Sequence, residues 1–250
     1  MTVFQIGASG KKGQGIDVDG DPNTCAPSSN CDGGIDNAIS VLAKMLNQPM
    51  IDSVNAGTLS FVAELAGYQG QGKPFTLNLY YATMSSDSAI AGCNQQGDVC
   101  EWKINQSSMS PKCKPKFSFE NAIVQSGKLT AGGAATLFAM DANLIGAKSG
   151  VMFVKGARVE ADVVFAADGL TLTSMQGAMG GALPKYEIPD IINAMDASAF
   201  GGIDKETVLL LADQLVTSDI DTDGDGEGDA CSIGLRFSGI GAKLIGFSSN

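Results

Sequence analysis

Asp221, Asp223 and Asp225 stand at alternate positions, Gly226 follows the third, and Glu227 and Asp229 carry the alternation on. Spacing of this kind lets a short loop wrap a hard cation. Side chains at positions 1, 3 and 5 turn inward, the glycine permits a sharp turn, and position 7 offers its backbone carbonyl. The donors are all oxygen, so the expected ion is calcium. A second acidic run lies near the start, where Asp17, Asp19, Asp21 and Asn23 alternate and Asp32 and Asp36 follow. Pro22 occupies the place of the turn glycine there, so the pattern is looser, with Asp32 and Asp36 as closing ligands.

The later loop departs from an EF-hand at position 12, which is Ser232 and not the bidentate Glu that closes such a site. Residues 221–231 instead resemble the thrombospondin type 3 repeat, Asp-x-Asp-x-Asp-Gly-x-Gly-Asp-x-Cys, and meet each of its defining positions. The resemblance implies calcium held by Asp221, Asp223, Asp225 and Asp229 with the carbonyl of Glu227, and a disulfide from Cys231. It covers only those residues and so names a module. Residues 17–36 look like a degenerate copy, which brings the expected calcium ions to two or more.

The chain has 250 residues, 44% of them apolar, enough for a substantial core. Its formal charge is −11, and the distribution decides how to read it. Residues 17–36 and 219–229 hold eleven of the 27 acids and none of the 16 Lys and Arg. The remainder is formally neutral. The acidity is therefore local, and no basic patch exists to neutralise phosphates, which argues against nucleic acid as a partner.

Six cysteines, Cys25, Cys31, Cys93, Cys100, Cys113 and Cys231, point to disulfides and an oxidising compartment. Short spacing favours Cys25–Cys31 and Cys93–Cys100 as local loops, leaving Cys113–Cys231 as a long-range staple. With no CxxC and no histidine, zinc is a poor fit. The missing histidine also removes Ser-His-Asp and Cys-His catalysis. Ser9-Gly-Lys11-Lys12 matches S-x-x-K, but inside a glycine-rich loop. Glu120, Glu160 and Glu187 are the candidates for a glycosidase-like carboxylate pair. No catalytic residue is assigned.

The elements that must position these loops follow from periodicity. Residues 8–35 read as a region organised by metal and disulfide. A helix is expected from Asp36 or Asn37 to about Leu46, and a second from Asp52 with Leu59, Val62, Leu65 and Ala66 inward. Phe75, Leu77, Leu79 and Tyr81 alternate as a half-buried strand should. Residues 93–116 read as a disulfide-pinned excursion. A meander follows over 134–176, with strands at about 134–146 and from Val151 to Phe165. Lys148-Ser-Gly150 turns the chain before the long strand, and Asp168-Gly169 marks a hairpin after it. On the long strand Val151, Phe153, Ala157, Val159, Ala161, Val163 and Phe165 are expected on one face. Pro189 opens a helix and Asp204 caps another. Ile233, Leu235 and Phe237 alternate in a final strand over 232–248, with a bulge expected at Gly239.

The order predicts one α+β domain over residues 1–250, an antiparallel sheet or meander with helices packed beside it. Its core spans 36–216, and the calcium loop at 219–231 precedes the last strand. A β-sandwich with peripheral helices is the alternative. The acidic runs flank the core and are expected to lie close together and pin the two ends of the chain.

The functional expectation is a calcium-binding, disulfide-stabilised structural or adhesive domain of a secreted, surface or periplasmic protein, with a protein or a surface glycan as partner. No stretch is apolar enough to span a bilayer, and the start lacks a signal pattern, so an export signal or lipid anchor is expected upstream. One rival is a secreted hydrolase or carbohydrate-binding module scaffolded by calcium, with Tyr80 and Trp102 as its aromatic hints. Another is a carrier of apolar ligands, with Met175, Met179 and Met195 lining a groove between sheet and helices.

Overall fold

Two-residue periodicity dominates this chain, and strands dominate the result. A computed structural model describes residues 2–55, 57, 60–85, 100–141, 151–195, 200 and 202–248. Its strands are β1 (Val3–Ile6), β2 (Phe61–Ala66), β3 (Phe75–Met84), β4 (Cys100–Asn105), β5 (Phe117–Gln125), β6 (Lys128–Gly132), β7 (Leu137–Asp141), β8 (Val151–Phe165), β9 (Leu172–Pro184), β10 (Ala230–Ile240) and β11 (Ala242–Ser248). The helices are α1 (Ala43–Asn55), α2 (Glu187–Ala194) and α3 (Lys205–Leu215), with a 3-10 turn over Ala38–Leu42 leading into α1.

The strands join one sheet in the order β1-β10-β9-β8-β6-β5-β3-β4-β11, with β2 added on β3 and β7 on β8. The α+β reading holds, and one unclosed sheet takes the place of the alternative sandwich. The sheet is mixed, because β11 runs parallel to β4 while the other pairings are antiparallel. Its ends approach each other: Phe4 of β1 packs on Phe61 of β2 with ring centroids 5.2 Å apart. Between the facing strands lies the core, built around Phe4, Leu77, Phe119, Leu129 and Val208. Burying each of these side chains contributes about 1.5–3 kcal/mol before entropy is counted.

Several expectations are corrected. Residues 61–66 form β2, not a helix, because each pairs with β3 in the register Phe61–Tyr81 to Ala66–Thr76. The 3–4 spacing of Val62, Leu65 and Ala66 yields to pairing across the sheet. Leu59 lies outside the described residues. Asp52 sits inside α1, whose helix runs on to Asn55, and so caps no second helix. On β8 the expected face is right only from Ala157 onward. Met152 and Val154 are buried while Val151 and Phe153 face out. The phase changes at Gly156, whose φ of 63° breaks the pleat where the register with β9 slips between Lys155 and Arg158. The bulge expected at Gly239 is instead a change of partner, since β10 ends at Ile240 on β9 and β11 begins at Ala242 on β4.

Other readings hold. Asp168 accepts hydrogen bonds from the Leu170 and Thr171 amides and shapes the hairpin ahead of β9. Asp204 caps α3 by accepting from the Thr207 amide. Pro189 lies in the first turn of α2 but does not open it, since the helix starts at Glu187. The turn at 148–150 lies outside the described residues.

β10 fixes where the acidic loops meet. It pairs with β1 on one side and β9 on the other, so the strand that opens the described chain lies along the strand that follows the second acidic loop. Asn37, fully buried, ties the same place from its side chain. Its Nδ2 donates to the Gly7 carbonyl at 2.7 Å and the Gly234 carbonyl at 2.8 Å, and its Oδ1 accepts from the Gly234 amide at 3.0 Å. A Cβ on Gly234 would lie 3.0 Å from the Gly15 Cα and 3.1 Å from the Asn37 Nδ2, so the crossing is tightly packed around this glycine.

Candidate metal centre

The two acidic runs fold into two carboxylate groups, each with oxygens within 4.8 Å of one another. The first holds Asp17, Asp19 and Asp36, and the second Asp221, Asp223 and Asp225.

In the second, the loop is wound around Asp221. One carboxylate oxygen accepts from the Gly224 amide at 2.7 Å and the Asp223 amide at 3.2 Å, and the other from the Gly226 amide at 2.8 Å. These bonds hold the Asp221 carboxyl below the usual carboxylate range. Gly224 and Gly226 adopt φ of 85° and 91°, which the winding requires. Asp223 accepts from the Asp225 amide, and Asp225 from the Glu227 amide. One Asp221 oxygen accepts two of these bonds, but its other oxygen and the bonded oxygens of Asp223 and Asp225 accept one each and keep a lone pair, so all three residues remain able to ligate. Asp229 stands outside this trio. Its two oxygens accept from the Thr222 amide and hydroxyl, which depresses its pKa, and so it closes the base of the loop.

The first group differs in being partly buried. Asp36 is only 1% exposed. Its Oδ2 accepts from the Val18 amide at 2.9 Å and more weakly from the Asp19 amide, and an isolated bridge pairs Ile16 with Asp36. Burial, reinforced by the nearby charges of Asp19 and Asp219, pushes its carboxyl up to about 7. Burial raises Asp17 as well, although Asp17 accepts from the Gly20 amide. Asp21, Asn23 and Asp32 are not gathered here. Asp21 accepts from the amide and side chain of Asn23, and Asp32 faces the Lys12 amide at 3.4 Å. The turn glycine missing at Pro22 is supplied by Gly20, with φ of 83°.

Asp219 escaped the sequence reading as a site residue. Its carboxylate accepts from the Ser232 amide at 2.7 Å and hydroxyl at 2.6 Å, and burial with the charge of Asp19 raises its pKa. It begins the alternation two residues before Asp221, which was the available signal. The Ser232 hydroxyl in turn accepts from the Ala38 amide, joining Asp219 to the residues after Asp36. Val18 packs against Ile220 and Ala230, so the loops meet through apolar contact too. Two cations brace them from β8: Arg158 donates to the Asp17 carbonyl, and Lys155 donates to the Thr222 hydroxyl at 2.9 Å.

The gathered donors are carboxylate oxygens, in a chain without histidine. That chemistry suits a hard cation such as calcium and suits zinc or copper poorly.

The cysteines divide. Cys25–Cys31 forms a disulfide across the first acidic region, with Cα atoms 5.5 Å apart. Cys100 is disulfide-bonded, and its expected partner Cys93 lies outside the described residues. The expected Cys113–Cys231 staple does not form: Cys113 is free and exposed, and Cys231 is free and buried. Cys231 faces inward at the start of β10, where its thiol donates to the Leu183 carbonyl on the paired strand β9.

The residues behind the catalytic and sugar-binding hints are also placed. The Ser9 hydroxyl is engaged with the Cys25 and Ala26 carbonyls at 2.8 and 2.7 Å, holding the disulfide loop. Tyr80 and Trp102 are buried and offer no stacking face, and the Tyr80 hydroxyl donates to Glu64 at 2.6 Å. Glu120 and Glu160 are exposed on strands, and Glu187 accepts from the Phe153 amide. Comparison with protein families, with curated proteins and with solved structures returned no match.

Proposed function

We propose that this chain is a calcium-stabilised, disulfide-bonded domain of a secreted or cell-surface protein, and that its role is structural or adhesive. The 221–231 loop acts as a thrombospondin type 3-like site and the 17–36 region as its divergent partner. Calcium here is architectural. Filled loops lock β1 and β10 together, and emptied loops repel each other. Two divalent ions would take the formal charge from −11 to −7.

The observation that carries this reading is the burial of Asp36 beside Asp17, Asp19 and Asp219. Gathering like charges around a buried carboxyl is costly unless a cation compensates them, and Arg158 donates to the Asp17 carbonyl and acts by its charge on Asp17, while Asp36 is raised by burial and by its acidic neighbours. The first test is a calorimetric calcium titration of metal-stripped, disulfide-intact protein, with a melting curve at each end point. Two bound ions and a large rise in melting temperature are expected. Identical melting with and without chelator overturns the proposal.

A further inference from the structure

A cavity of about 240 Å³ lies inside the curl of the sheet, between β2 and β3 on one side and β8, β9 and β10 on the other. Every residue that lines it is among the described ones. Its inner wall is apolar and buried: Leu77, Leu79, Val159, Met175, Met179 and Phe237 all face it. At its rim stand Thr171 and Ala242, both exposed, and Gly239 and Gly241, which put no side chain over the opening. The rim is where the chain leaves β10 for β11, so the opening results from the change of partner strand.

We propose that this cavity is a binding site for one small, uncharged, hydrocarbon-like molecule. Volume is the first argument. An apolar cavity of about 150 Å³ already accepts a benzene-sized guest, so this one admits a larger molecule, such as a fused two-ring hydrocarbon. The second argument is the state of the polar groups. The Thr171 hydroxyl is held by Asp168 at 2.5 Å, and the Ser238 hydroxyl pairs with that of Thr2 at 2.7 Å. Both lining hydroxyls are therefore already engaged within the protein, and apolar atoms make up most of the lining, which favours an apolar guest over ordered water. The third is the pair of methionines on β9. Unbranched thioether side chains adjust to the outline of a guest more readily than branched ones. They stand where the sequence pointed to an apolar groove, except that the groove lies within the sheet, and Met195 at the end of α2 takes no part. No acidic loop residue lines the cavity, so this site and the metal sites are separate.

Naphthalene is the probe, with 1-methylquinolinium as a charged molecule of similar shape. Calorimetry and melting curves on the full chain read both. The expected result is one naphthalene bound, a raised melting temperature, and no response to the cation. Ala63→Leu fills the cavity from β2 and weakens naphthalene binding by about tenfold or more, because its added carbons take the guest's volume. Its ligand-free melting temperature is unchanged or higher. Ala242→Phe covers the rim from an exposed position, which spares the fold, and also weakens binding. The proposal is overturned if the parent chain fails to bind naphthalene, or if both variants bind it as the parent does.

Discussion

Cys113 and Cys231 present the same functional group in opposite settings. Cys113 sits in a left-handed turn with φ of 54° and faces solvent. Cys231 is fully buried, and burial next to the charge of Asp219 pushes its thiol up to about 12. The reactive species is the thiolate, so access and acidity act in the same direction. A disulfide-exchange reagent at mildly alkaline pH should therefore label Cys113 in the native protein and reach Cys231 only after unfolding. Peptide mapping reads the result, and native labelling of Cys231 contradicts the placement. At this scale the sequence was legible where chemistry is local. The six-residue spacing of Cys25 and Cys31 closes a loop that no other part of the fold has to permit. The long-range pairing was illegible, because elimination among cysteines carries no information about distance. Asp36 was legible as a member of an acidic run, but its burial was not, since that depends on strands some two hundred residues later.

Elements show where local signals prevail and where neighbours overrule them. The α3 cap is a local device: Asp204 binds both the amide and the hydroxyl of Thr207. Asp204→Ala should cost about 1 kcal/mol, the usual worth of a cap. The glycines of β9 serve the sheet instead. A Cβ on Gly180 would lie 2.3 Å from the Ile233 carbonyl oxygen, a backbone atom that cannot turn aside. Gly180→Ala should then cost more, about 2–3 kcal/mol as a forced backbone shift. Denaturant unfolding of both variants in one buffer ranks the two, and the reverse order would refute this account. The same distinction explains what the sequence told. Alternation in β3 and β10 and the cap of α3 are written in neighbouring residues. The strand identity of residues 61–66 is decided by β3, and the face of Val151 and Phe153 by a slip at Gly156 that no periodicity announces.

At the scale of the molecule, the raised carboxylates set how stability answers to pH. The ordinary carboxylate value is 3.8, and Asp36 is pushed up to about 7, with Asp17 and Asp219 raised in the same direction. Between those limits the ion-free folded state holds protons that the unfolded chain releases. Protons therefore favour folding, and that contribution is complete below the unfolded value and lost as pH rises through the folded one. Metal-stripped protein should melt at progressively lower temperature from about pH 4 to about pH 7. Calcium prefers the ionised groups, so its stabilisation should grow over the same window. Melting curves at a series of pH values, with and without calcium, test both trends, and a flat response in both sets contradicts them.

The pairing of β1 with β10 has a further consequence for how the chain is made. Thr2 and Ser238 share a hydrogen bond across 236 positions of sequence, and Asn37 reaches Gly234 across 197. A polypeptide that leaves the ribosome or a translocation channel from its N-terminus must keep β1 waiting until β10 has emerged. The opening segment, with its acidic residues and its disulfide, is synthesised early and settles late. Truncation before β10 therefore removes the seat of the first strand, and a nascent chain stalled short of that point is left with both ends of the sheet unfinished.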